Sequence, residues 1–214
     1  MFAGKLAGYL GAICAALCII LAPSAWAHSR SAPLSGPTAG IAIPNLSHGQ
    51  MGIIANHLTA ILDLPGRTGA ADPTTQRLQY FVNLQYFACM RGLVPGSLAD
   101  EESPFNECSH AYLAGARALL MHLKDLPGRR LAVTDLVTRI ELEMVLNSTS
   151  LMLCRYSAQP FNSSEILAPH WRDIPAHPPS LATFGGLALG IAGCVRLWMR
   201  PRRPRANGQN GALA

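Results

Sequence analysis

The sequence predicts an all-α fold: a four-helix up-down bundle made of two repeated helical hairpins, followed by one C-terminal transmembrane helix. Three observations predict it. A segment recurs at a fixed offset of 62 residues. Each copy carries apolar residues at helical spacing. Near the end of the chain the uncharged run Leu181 to Val195, extended past Arg196 by Leu197-Trp198-Met199, comes to about the 20 residues that a bilayer requires.

The chain has 214 residues, half of them hydrophobic and only 14% charged. That is too apolar for a disordered chain, and it leaves room for one ordinary domain plus targeting segments. Residues 1–27 read as a secretory signal. Lys5 is their only charge, Leu6 to Leu21 are apolar, Pro23 and Ser24 break the run, and Ala25-Trp26-Ala27 supplies small residues for cleavage before His28. Residues 28–43 are rich in Ser, Pro, Gly and Ala and read as a flexible lead.

The bundle is assigned to 44–157. Ser47-His48 opens a segment that ends in Asp63-Leu64-Pro65-Gly66-Arg67; Ser109-His110 opens one that ends in Asp125-Leu126-Pro127-Gly128-Arg129. Met51, Ile54, Leu58 and Ile61 map onto Leu113, Ala116, Leu120 and Leu123, a 3-4-3 seam that turns one helix face to a core. Pro-Gly is expected to stop the helix in both copies. Ser47 with Gln50 forms a capping box, Asp72-Pro73 starts the second helix, and Ser103-Pro104 opens the third. The second helix is expected to run to about Arg91 and the fourth from about Arg130 to Arg155. In the fourth, Val133, Val137, Ile140, Met144, Asn147, Leu151 and Cys154 alternate by four and three. Asn147 is its polar member, and Asn83 holds the matching place in the second helix.

Residues 158–179 contain five prolines and read as a semi-extended tether to a membrane. Residues 180–199 form the predicted membrane helix, and 200–214 a basic cytoplasmic tail with Arg200, Arg202, Arg203 and Arg205. Dense arginine beside a membrane helix marks the cytoplasmic side, so the bundle belongs outside. The expected location is therefore an inner membrane, crossed once, with a periplasmic domain. The overall charge of +5 misleads: with the signal, anchor and tail set aside, eleven basic residues face twelve acidic ones. Such a near-neutral domain points away from nucleic acid, while the tail suits anionic lipid.

In an up-down bundle the starts of helices one and three and the ends of helices two and four meet. That end collects His48, Met51, Cys89, Cys108, His110 and Cys154. In an oxidising compartment Cys89–Cys108 is the expected disulfide, with Cys108–Cys154 the competing pair. Soft sulfur donors beside imidazole would alternatively take copper or zinc, although no CxxC, HExxH or CxxCH spacing occurs. The histidines and acidic residues show no base beside an orienting partner, so no catalytic residue is assigned and no enzyme is expected. Ala182, Gly186, Gly190 and Cys194 recur every four residues on the membrane helix, a stripe along which another helix can approach. The sequence thus favours a membrane-anchored interaction protein, an accessory subunit that meets a membrane protein or its own copy through this helix. The alternative is a metal- or redox-binding module at the membrane-proximal end of the bundle.

Overall fold

A computed structural model describes residues 40–128, 131–148, 156 and 160–199. The predicted signal, most of the lead, Cys154 and the basic tail lie outside these residues. The protein is mostly helical, with one apolar C-terminal helix. In chain order the elements are β1 (Ala42–Ile43), α1 (His48–Thr68), α2 (Pro73–Ala88), a 3-10 turn (Met90–Gly92), α3 (Asn106–Asp125) and α4 (Leu131–Leu146). There follow β2 (Phe161–Asn162), a second 3-10 turn (Trp171–Ala176) and α5 (Pro178–Trp198).

Both apolar seams are buried: Met51, Ile54, Leu58 and Ile61 on α1, and Leu113, Ala116, Leu120 and Leu123 on α3. Burying one large aliphatic side chain of this kind stabilises a fold by about 2 kcal/mol. Val133, Val137 and Ile140 of α4 join the same core, and Met144 packs at its edge. The neighbour relations differ from those of two stacked hairpins. α3 packs against α1, α2 and α4; α1 also packs against α4, whereas α1 and α2 touch only slightly. α3 is central because its residues are small. Ala111, Ala114, Gly115 and Ala116 bring the other helices close, and a Cβ on Gly115 would stand 2.8 Å from the Phe81 ring of α2.

Local chemistry sets several boundaries. Gln50 reaches back to the backbone N–H of Ser47 at 3.2 Å, which closes the expected capping box. Asp72 accepts from the N–H groups of Thr74 and Thr75 at 3.1 and 3.0 Å, with Pro73 at the first helical position. The Thr75 hydroxyl, working against burial, then the Thr75 amide and His122, hold the Asp72 carboxyl well below the usual carboxylate range.

Four expectations are corrected. The first helix does not stop at Pro65-Gly66; it runs to Thr68 and closes on Gly69 in the left-handed conformation, whose N–H reaches the Pro65 carbonyl. The second ends at Ala88 rather than at Arg91, where the chain turns left-handed through Met90, Arg91 and Gly92. The fourth ends at Leu146. Asn147 then bonds the Glu143 carbonyl at 2.7 Å and stays exposed, so it is no seam residue. Asn83 is exposed as well; the buried amide of α2 is Gln85.

The last correction concerns the proline-rich segment, which is fastened to the bundle along most of its length. β2 pairs antiparallel with β1, Phe161 opposite Ile43 and Asn162 opposite Ala42. Ser163 and Ile41 exchange two further bonds. Gln85 holds both the N–H and the carbonyl of Leu167, at 2.8 and 2.7 Å. The His170 amide bonds the Pro104 carbonyl at 2.9 Å. Prolines favour an extended path, and the backbone groups along it find partners on the bundle instead of in water. The strand pairing also orders the end of the predicted lead, with Ile43 fully buried.

Candidate functional site

The structure brings His48, Met51, Cys89, Cys108 and His110 to one end of the helices, as the connectivity predicts. Cys89 ends α2 and Cys108 lies in the first turn of α3; their sulfurs are 2.01 Å apart, a disulfide that closes a separation of 19 residues. That bond leaves neither residue as a thiolate, the form a metal needs. Cys154 lies outside the described residues. Met51 is fully buried in the core. Among the described residues no three His, Cys, Asp or Glu side chains converge in a metal-holding group.

The two repeat histidines face each other, ring centroids 6.0 Å apart. His48 starts α1 and is half-buried, whereas His110 is fully buried inside α3. Burial first, then the neighbouring His48, lowers the pKa of His110 to about 4, against a rise from its bond to the Leu46 backbone. His110 is therefore a neutral core imidazole at pH 7. Tyr112, one turn deeper than Cys108, packs edge-on to Tyr86, and burial pushes its phenol up to about 12.

Polar chemistry that sequence spacing did not show lies on the proline-rich segment. His170 pairs with Glu107 of α3 at 2.7 Å, and His177 pairs with Asp100 at 2.8 Å. Two more histidines, unpaired in the sequence reading, also meet carboxylates: His57 with Glu143 across α1 and α4, and His122 with Asp72. Asp100 bonds His177 and the Glu102 amide; His177 foremost holds its carboxyl below the usual value despite burial. The signal was missed because the partners stand 63 and 77 residues apart.

Asp100, His177 and Ser180 form a line. The Nε2–H of His177 donates to Asp100, while Nδ1 stands 2.6 Å from the Ser180 hydroxyl and accepts the Ser180 backbone N–H at 3.3 Å. The sequence of groups resembles a nucleophile, base and acid. Ser180 is fully buried, however, so no acyl donor reaches its oxygen, and the bond to the amide makes His177 a helix cap. What the line does is fix the start of α5 to the loop before α3.

α5 is 21 residues long, with a mean hydropathy of 1.5 over an 18-residue window, and it is the one helix among the described residues long and apolar enough to cross a membrane. Its first two turns pack on the domain: Phe184 stacks on Phe105 at 6.1 Å and meets Trp171 at 6.2 Å, while Trp171 stands edge-on to Phe105 at 5.7 Å. Beyond Phe184 every residue of α5 is exposed. Ala182, Gly186, Gly190 and Cys194 are all exposed, and among the described residues nothing outside the helix's own backbone comes within 4 Å of a Cβ built on Gly186 or Gly190. No protein-family model, no curated protein and no solved structure matches the chain.

Proposed function

We propose that this is a single-pass inner-membrane protein whose helical domain lies in the periplasm and serves as an accessory subunit of a membrane complex. Residues 1–27 are removed as a signal, α5 spans the bilayer, and the arginine-rich tail meets anionic lipid on the cytoplasmic side. The helical domain is a duplicated helix pair whose copies have diverged. One observation carries the reading: α5 is apolar, leaves the domain after Phe184 with no further cover, and bears a small-residue stripe that its own chain does not fill. Such a stripe lets a second transmembrane helix approach closely, whereas an anchor alone gains more from leucine there.

Purification of the full-length protein in mild detergent, with mass spectrometry of what accompanies it, tests the proposal. A stoichiometric membrane protein is the expected companion. Gly186→Leu with Gly190→Leu should release it while the protein stays in the membrane. Unchanged association in that variant would remove the stripe from the contact, and a lone monomer would remove the subunit role.

A further inference from the structure

The bundle is fastened to the first turns of α5, and that fastening fixes how far the domain stands from the bilayer. The inner boundary of the span is marked by Trp198 and Met199 followed by Arg200. Counting back the roughly 20 residues that cross the hydrocarbon layer reaches Ser180. Phe184 then lies four residues inside that boundary, about 6 Å deep at the helical rise of 1.5 Å per residue. Yet Phe184 is the residue that packs on Phe105 and Trp171 of the domain. Both cannot hold if the domain floats on a tether above the headgroups.

We infer that the end of the domain around Trp171 is itself seated in the outer headgroup and acyl boundary of the membrane that α5 crosses. The contact chemistry fits that occupant. Trp171 is about half exposed, as is Leu181 at the start of α5, with Ile166 exposed on the same segment as Trp171, and Arg172 follows as a cation for phosphate. Indole at the interface with arginine beside it is the pattern of a membrane-edge belt. A depth of about 6 Å also falls in the range at which interfacial apolar surfaces sit. The line from Asp100 through His177 to Ser180, with His170 on Glu107, holds this rim rigidly against α5. The inference rests on α5 spanning the bilayer, and the test separates the two.

Two full-length variants are reconstituted in vesicles of phosphatidylethanolamine and phosphatidylglycerol that carry lipid quenchers, placed either shallow or deep. Trp26→Phe with Trp198→Phe leaves Trp171 as the reporter; Trp26→Phe with Trp171→Phe leaves Trp198. The expected result is loss of most Trp171 emission to the shallow quencher and less to the deep one, with Trp198 quenched in parallel. Trp171 emission untouched at either depth while Trp198 is quenched would overturn the seating and leave α5 in the membrane. If Trp198 also escapes quenching and the vesicles float without the protein, spanning itself fails, and the seating with it.

Discussion

Ser47–Arg67 and Ser109–Arg129 begin with the same two residues and end with the same five, yet the two segments fold differently at both ends. Ser47 caps α1, whereas Ser109 lies a full turn inside α3 and is fully buried. α3 has an extra first turn, Asn106 to Ser109, and Cys108 ties that turn to the end of α2. At the other end α1 continues through Pro65, while α3 stops at Asp125; Leu126 is extended before Pro127, and Gly128 takes a φ of 105°. An interior proline costs a helix about 3 kcal/mol, so α1 needs a compensation. It has one: Leu64 and Pro65 are buried, and residues 68–72 give the chain room to turn later. The second segment has no such slack, because α4 begins at Leu131. A stop signal is thus a local preference, and the chain available beyond it decides whether it is obeyed.

The sharpest way to break this comparison is to remove the crosslink that ties the first turn of α3 to the end of α2. Cys89→Ala with Cys108→Ala frees a loop of about 20 residues, and the loop-entropy model gives a loss near 3 kcal/mol, read in urea denaturation. A loss under about 1 kcal/mol would show that the extra turn of α3 stands without the bond. A similar effect comes from the buried histidine. His110 has a pKa near 4 in the fold against 6.5 in a solvated chain, so below pH 6.5 the unfolded chain binds a proton that the fold does not. The His110 contribution is therefore full above pH 6.5, falls as the pH drops, and levels off below about 4, by roughly 3 kcal/mol in all, while Asp72 and Asp100, whose carboxyls the fold holds below their usual range, carry the fall on to lower pH. His110→Gln should flatten that limb in a pH series of urea melts. His48→Gln, which removes the neighbouring charge, should raise the His110 pKa and shorten the window.

How far the sequence reaches follows from the same contrast. The seams, the Asp72-Pro73 start, the Ser47 cap, the Cys89–Cys108 pairing and the apolar α5 were all legible, because each is written within a few residues or in a fixed period. The central position of α3 was not read, although Ala111, Ala114, Gly115 and Ala116 in one run are the mark of a helix packed on several sides. The period that puts Asn147 on a seam continues past Leu146, while the helix does not. The proline-rich segment reads as a tether because five prolines favour an extended path, although Pro178 and Pro179 open α5 and Pro175 lies in a 3-10 turn. What they do not exclude is docking, and docking depends on Gln85, Glu107 and Asp100, each far away in sequence. The pairings of His170 and His177 were invisible for that reason.

The smallest effects sharpen the comparison at the level of single methyl groups. Gly52 in α1 is exposed, and a Cβ there meets nothing within 4 Å. Gly52→Ala should therefore stabilise the protein by about 0.5–1 kcal/mol, the helix preference of alanine over glycine. Gly115 in α3 has the same preference working for alanine, but the new methyl would sit 2.8 to 3.0 Å from Phe81 and Val82. Overpacking of this kind costs about 1–3 kcal/mol, so the net change should be destabilising by about 1–2 kcal/mol. Phe81 and Val82 belong to α2, and α2 also carries Gln85, which grips Leu167. Gly115→Ala should push α2 outward and loosen that grip, and hydrogen exchange at the Leu167 amide should rise with it. Faster exchange at Leu167 in Gly115→Ala but not in Gly52→Ala would tie the docked segment to the packing of α3. Equal stability and equal exchange in the two variants would mean that the contact between α2 and α3 is slack, and that the two segments differ in their ends alone.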